Sequence, residues 1–413
     1  DEDYHSADGT LAYTRHYNSQ LKQNSNAGWN WNTATQRRLE ITGTTTRYLL
    51  RTDGRSELFT QTSTGQWQGD ADSQLMLIQD VGGYTVSYLD GAQERYDTNG
   101  QLIAETDRYG KTIAYNYTIG KINRVTGPFG HALIFGYDVS GHVSILTDPT
   151  GQAIGYAYDT NNNLVQVNYP DTTAKLYHYE NTTFPNHLTG ISYATVNTDG
   201  SLSNIVRFAT YAYDATGKAI TTQHAQTDNG SPQEKFQLTY NSDTQTTVTD
   251  AAGMNEVMTF AANLGVKNLA LKVNQSDGKS VQQVFDANNN LTCRKDEENR
   301  VTTYTYNSTN QRTGMTEGLM GDCTNPATMA GVTRTTSYGY LSPTLDLPTS
   351  ITSPSVYSGQ NKITTIQYTD TSHPNLPTVI TQAGFTPAGA SVSRTVGLGY
   401  NASGQVNSID GPR

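Results

Sequence analysis

The sequence predicts an all-β chain in which β-hairpins of about 21 residues repeat and join into one antiparallel sheet that curls into a spiral. Three observations carry this. "YDVSGHV" (137–143) and "YDTNNNL" (158–164) nearly repeat each other 21 residues apart. Asp-x-x-Gly phrases follow at ten-residue steps, as Asp138–Gly141 and then Asp148–Gly151. The text between them alternates, with Ile154, Tyr156 and Tyr158 on one face, and no stretch carries a convincing helical period.

Residues 1–90 lack the period and open the chain. "LLRTDGRSEL" around Asp53-Gly54 and "TVSYLDGAQE" around Asp90-Gly91 are hairpin signals, because Asp-Gly supplies the backbone that a tight turn needs. This stretch reads as a β-rich N-terminal module that caps the first hairpins. Residues 91–413 read as the repeat. Tyr96, Tyr117, Tyr137, Tyr158 and Tyr179 are spaced 21, 20, 21 and 21. Asp first and Gly fourth is the signature of a type I turn closed by a left-handed residue. Asp97–Gly100, Asp107–Gly110, Asp138–Gly141 and Asp148–Gly151 all fit it. After Asp159, Asn162 takes the Gly place, and Asn tolerates positive φ next best. Strands of about six residues therefore alternate with turns. Looser copies follow at Tyr213, Tyr240, Phe285, Tyr306, Tyr368 and Tyr400, and the wide gaps near 182–204 and 317–335 read as loop insertions.

Magnitude shapes the sheet. Roughly twenty strands at about 4.8 Å each would span on the order of 95 Å, and twisted sheets rarely stay open beyond ~10 strands. The sheet must curl. A propeller would need a 42-residue period, and nothing in the text marks one.

Composition narrows function. Charged residues are 15% and hydrophobic residues 35%, with 27 Tyr against 9 Phe, so the polarity is that of Thr, Asn, Ser and Tyr on a pleated surface with one wet face. Net charge is −10 without a basic cluster, which argues against nucleic acid as a partner. No apolar run approaches the length needed to span a bilayer, so no membrane insertion is expected. Cys293 and Cys323 form neither a disulfide framework nor a metal site; one disulfide and two free thiols both remain open. The eight histidines are scattered, and His178 reads as a strand-face residue. "DTNNN" (159–163) and "DANNN" (286–290) place oxygens as a calcium loop does, but Leu164 and Leu291 stand where that loop needs Gly. They read as turns, and neither metal nor cofactor is expected. No nucleophile elbow or phosphate loop appears, and Glu297-Glu298 reads as solvated loop charge, so no enzyme is expected. Trp29, Trp31 and Trp67 could stack on sugars, with packing inside the N-terminal module as the plainer reading.

The copies "YDTNGQLIAETDRYG" (96–110) and "YDVSGHVSILTDPTG" (137–151) resemble the YD-repeat, or Rhs, family. "TRHYNS" (14–19), "GWNW" (28–31) and "RTDGRSELF" (51–59) resemble the module preceding those repeats in large bacterial Rhs proteins, and "FPNHLTGI" (184–191) resembles one of their connecting segments. The resemblance implies a hollow β-shell around a C-terminal toxic domain, as in polymorphic toxins and insecticidal toxin complexes, or an adhesion scaffold as in teneurins. It implies a secreted or cell-surface bacterial protein. Its partners would be the rest of a longer parent polypeptide and an encapsulated toxin domain, with glycans or self-association through an exposed sheet edge as alternatives. Toxin-bearing members carry a self-cleavage motif containing Asp-Pro-x-Gly; "DPTG" (148–151) matches it but sits mid-array, as a turn. Both ends of the chain read as cuts, the last strand "QVNSID" stopping before any return strand.

Overall fold

The structure is a computed structural model that describes residues 1–226 and 232–412. The described strands form four antiparallel sheets, of which one has 29 strands in sequence order from Met76–Asp80 to Val406–Asp410. That sheet does not close, since its first and last strands each have one neighbour. The remaining sheets, of three, two and four strands, come from the first 69 residues. Among the described residues the one helical turn is a 3-10 turn at Ala34–Gln36, capped by Thr33 and Gln36.

The predicted hairpin is the building unit. In the pair Ala132–Tyr137 and Val143–Thr147, Asp138 N–H donates to the His142 carbonyl (2.9 Å) and Gly141 N–H to the Asp138 carbonyl (3.1 Å). Gly141 adopts φ 92°, which closes the turn in the left-handed region. Asn162, Asn289, Asn299 and Asn310 do the same at φ 65°, 59°, 62° and 63°. A second irregularity lies at the tyrosine itself: the pairing slips between Gly136 and Tyr137, between Ala157 and Tyr158, and between Thr305 and Tyr306. Turn and slip recur together because the same phrase encodes both. One face of these strands is apolar and buried, with Leu146, Ile154, Leu164 and Val167 almost wholly covered.

The later strands depart from the six-residue expectation. Leu202–Tyr213 has 12 residues, and Arg312–Asp322 has 11. Both presumed insertions contain strand: Gly190–Val196 and the start of Leu202–Tyr213 in the first, Asn325–Ala330 in the second. Pairing with neighbouring strands satisfies their backbone groups, which a bare loop of that length would leave to water. In the second, Arg312–Asp322 pairs with both Asn325–Ala330 and Arg334–Ser342, so a short hairpin extends the sheet. Cys293 and Cys323 are joined in a disulfide, Cα atoms 5.7 Å apart, which ties this hairpin to strand Leu291–Lys295. Both are buried beside Val301, with Val284, Leu319 and Met329 packed around them.

The chain forms two compact units. One comprises Asp1–Leu58, Tyr96–Ala104 and Ile113–Glu256; the other comprises Phe59–Arg95, Glu105–Thr112 and Val257–Arg413. Residues 1–90 thus contribute to both.

Candidate functional site: a tyrosine-clamped repeat with docked segments

The repeat signature assembles a recurring bond that alternation alone does not announce. Tyr117, Tyr137 and Tyr158 each donate their hydroxyl to the carbonyl 15 residues earlier: Leu102 (2.8 Å), Ile122 (2.6 Å) and Val143 (2.9 Å). Each acceptor lies in the first two residues of the return strand of the preceding hairpin, so each of these tyrosines clamps one unit to the one before it. Tyr306 repeats the bond to Leu291 (2.9 Å). Where the spacing is irregular the clamp survives: Tyr213 bonds Leu188, Tyr240 bonds Ala219, Tyr368 bonds Pro348 and Tyr400 bonds Pro377. Phe285 keeps the position without a hydroxyl to give. Burial raises these phenols, Tyr137 to about 12 and Tyr117 further, so they remain protonated donors at neutral pH.

The aspartates organise the turns. The carboxylate of Asp97 accepts from the N–H groups of Asn99 and Gln101, and that of Asp107 from Tyr109 and Lys111. Asp148 accepts from Thr150 N–H, the Thr150 hydroxyl and Gln152 N–H, so "DPTG" is a turn closed by Gly151 at φ 86°. Asp159 serves Asn161 and Asn163 in the same way. Tyr96 is fully buried. Tyr179 departs from the series: it lies just past strand Thr173–His178, and its hydroxyl accepts from the Trp31 indole N–H (3.0 Å). Glu180 follows it in place of the repeat's Asp, and the partner strand Gly190–Val196 returns only after residues 179–189, so no tight turn holds Tyr179 at the repeat position.

The two Asn runs have a use that calcium geometry would not reveal. In the first unit, Trp29 N–H donates to the Asn162 carbonyl (3.0 Å), and Gly28 approaches the same carbonyl so closely that a Cβ there would stand 2.8 Å from it. Asn163, fully buried, donates to the Asp159 carboxylate and the Pro185 carbonyl. In the second unit, Asn289 donates to Asp72 (2.7 Å), while Asn288 and Asn290 donate to the Asn310 side chain, which itself donates to the Ala71 carbonyl. Each Asn run is a socket for a segment from before the repeats. Among the described residues, no group of three His, Cys, Asp or Glu could hold a metal ion.

The firmest docking point in the first unit is a buried charge. Arg15, 1% exposed, makes a two-pronged bond to Asp3 (2.5 and 2.9 Å) and a third to the Tyr177 hydroxyl (2.9 Å). Its guanidinium lies over Trp31, 4.9 Å from the ring centre, with Tyr177 and Tyr156 at 5.3 and 5.8 Å. Asp3 also accepts from the Tyr156 and Tyr169 hydroxyls. Burial alone would raise the Asp3 carboxyl, but the Arg15 charge and these hydrogen bonds outweigh it and hold the group below the usual range. Trp31 is buried against Tyr17 and Tyr177, which fits packing rather than sugar stacking. His178 bonds the Ser192 hydroxyl across strands (2.8 Å).

The periodicity marks the tyrosines and aspartates but not the bonds that the tyrosines make. The excess of Tyr over Phe was the available signal, since only a phenol can clamp. Nothing in the sequence pairs Arg15 with tyrosines 141 and more residues away.

Two stretches, residues 137–174 and 285–319, match the family model described as RHS Repeat. Each contains one of the Asn sockets. No curated protein matches the chain. Among solved structures it is similar to TcdB2-TccC3 without its hypervariable C-terminal region, at 12% identity over 99% of this chain and 25% of that one, with TM-score 0.48. TcdB2-TccC3 matches at 12% identity over 97% and 25%, TM-score 0.47, and TcdB2-TccC3-TEV at 12% over 89% and 22%, TM-score 0.47. The chain spans about a quarter of the length of these solved chains.

Proposed function

We propose that this chain, an Rhs/YD-repeat protein with a shell-type scaffold, is a structural wall segment that helps a larger polypeptide enclose and deliver a C-terminal toxin domain. The observation that carries the reading is the clamp: one side-chain bond, repeated hairpin after hairpin, ties each unit to the one before it, which suits a structural wall. The wall is proposed to be non-enzymatic. Export to the cell exterior or surface is part of the proposal. The Cys293–Cys323 disulfide supports it, because such bonds persist in oxidising compartments. Among the described residues, no helix is long and apolar enough to cross a membrane.

Limited proteolysis of the parent polypeptide tests enclosure. Its C-terminal segment should resist trypsin while the wall is folded and become cleavable when urea opens the wall. A segment cut as fast within the parent as in isolation would overturn the reading.

A further inference from the structure

Within the second unit, a groove of about 580 Å³ runs across strands Arg334–Ser342, Leu345–Pro354, Asn361–Gln367, Val379–Phe385 and Ser391–Tyr400. Three cations line it, one from every second strand: Arg334, Lys362 and Arg394. Among the described residues no acidic side chain lines it, although the chain carries 37 acids against 27 bases. The strand register sets Lys362 opposite Ser353 and Arg394 opposite Gln382. Glu317 stands opposite Arg334, yet among the described residues none of the three cations has an ion-pair or hydrogen-bond partner. Elsewhere in the molecule comparable cations are engaged: Arg95 with Asp80, Arg207 with Glu180, Arg300 with Asp296. Alternate strands lie about 10 Å apart, a distance that long Arg and Lys side chains can close from both sides toward one point. Beside the cations the groove is apolar, with Pro354, Val356, Phe385 and Val392 in its wall.

We infer that this groove binds a small amphiphilic oxyanion, with phosphate or carboxylate groups held by Arg334, Lys362 and Arg394 and an apolar body laid along Phe385 and Val392. The chemistry follows from the side chains. Guanidinium forks match the paired oxygens of phosphate and carboxylate, and a groove whose charged side chains are all cations favours an anion. An acidic peptide fits less well. A bound strand needs free backbone partners, and every strand under the groove is already paired on both sides. The inference stands apart from the wall reading and would survive its failure.

Titration calorimetry on the intact chain at low salt, with phenyl phosphate, phenylacetate, inorganic phosphate and benzyl alcohol, tests it. Phenyl phosphate or phenylacetate should bind, the tighter of the two identifying phosphate or carboxylate as the natural group. Inorganic phosphate should bind more weakly, and benzyl alcohol not measurably. Arg334→Gln and Arg394→Gln should each weaken binding about tenfold, and raised salt should weaken it further. Phe385→Ala should narrow the preference for phenyl phosphate over inorganic phosphate. Arg334, Lys362 and Arg394 are exposed while Phe385 is half-buried against Tyr357, and circular dichroism would verify that each variant keeps its sheet. Benzyl alcohol binding as tightly as the anions would overturn the inference, as would unchanged affinity in the triple variant Arg334→Gln, Lys362→Gln, Arg394→Gln. Absence of any binding would do the same.

Discussion

Tyr158 shows how much one atom adds to a repeat. Its ring packs beside His142, with ring centres 4.5 Å apart, while its hydroxyl reaches the Val143 carbonyl. Replacing it by Phe keeps the ring and removes the clamp. Tyr158→Phe should therefore cost about 1 kcal/mol in urea unfolding, the net worth of one hydrogen bond. A variant as stable as the parent would mean water replaces the bond at no cost. Asp3 has larger stakes because its partner is buried. Asp3→Asn leaves Arg15 only the more distant Asp1 carboxylate, 3.9 Å away, and should cost about 3 kcal/mol in the first unit. The carboxyl sits below its ordinary value of 3.8, so its contribution is present above that pH and fades as pH falls further. Acid titration followed by fluorescence of Trp31 should show this loss in the parent and not in Asp3→Asn.

At the level of the hairpin, two glycines with the same conformation have different duties. Gly100 and Gly110 close successive turns at φ 79° and 83°. Around Gly110 there is open space, whereas a Cβ on Gly100 would collide with the Leu39 carbonyl. Leu39 N–H also donates to the Gly100 carbonyl (2.8 Å), so that turn is where strand Arg38–Thr42 attaches. Gly110→Ala should cost only the left-handed strain, ~1–2 kcal/mol. Gly100→Ala should cost that and displace the strand as well. Thermal melts and hydrogen exchange at residues 38–42 would separate the two, and equal losses would place the attachment elsewhere. The disulfide acts on another element, the hairpin formed by Arg312–Asp322 and Asn325–Ala330. Cys323→Ser opens a loop of 30 residues and should lower stability by about 3 kcal/mol. Exchange should rise first in 319–330, and an unmoved pattern there would show that the apolar cluster suffices.

Across the whole molecule the clamps act as one titrating set. Burial raises the phenols of Tyr117, Tyr137, Tyr158 and Tyr213 above the ordinary value of 10.0, with Tyr137 at about 12. A group that holds its proton more tightly when folded contributes fully below its unfolded value and loses that contribution as pH rises through the folded one. The chain should therefore keep its stability up to about pH 10 and lose it steeply toward pH 12, with tyrosinate absorbance and loss of β-sheet signal rising together. Tyrosinate appearing well before the sheet melts would mean the clamps open without consequence.

The sequence alone determined the hairpin. Asp-x-x-Gly, the alternation and the 21-residue step are local statements, and the turn bonds at Asp138–Gly141 and Asp148–Gly151 follow from residues at most four apart. The all-β class and the sheet built in chain order could be read from them because each hairpin needs only its neighbours. Tertiary structure decided everything that joins distant text. It paired Cys293 with Cys323, turned the presumed insertion at 317–335 into a hairpin, and took Tyr179 out of the clamp series to receive Trp31. It also made the Asn runs sockets for residues 28–29 and 71–72. Such pairings have no periodic signature: a buried Arg15 or Asn163 is acceptable only where burial supplies partners from elsewhere in the chain, and which partners arrive is fixed by packing, not by spacing.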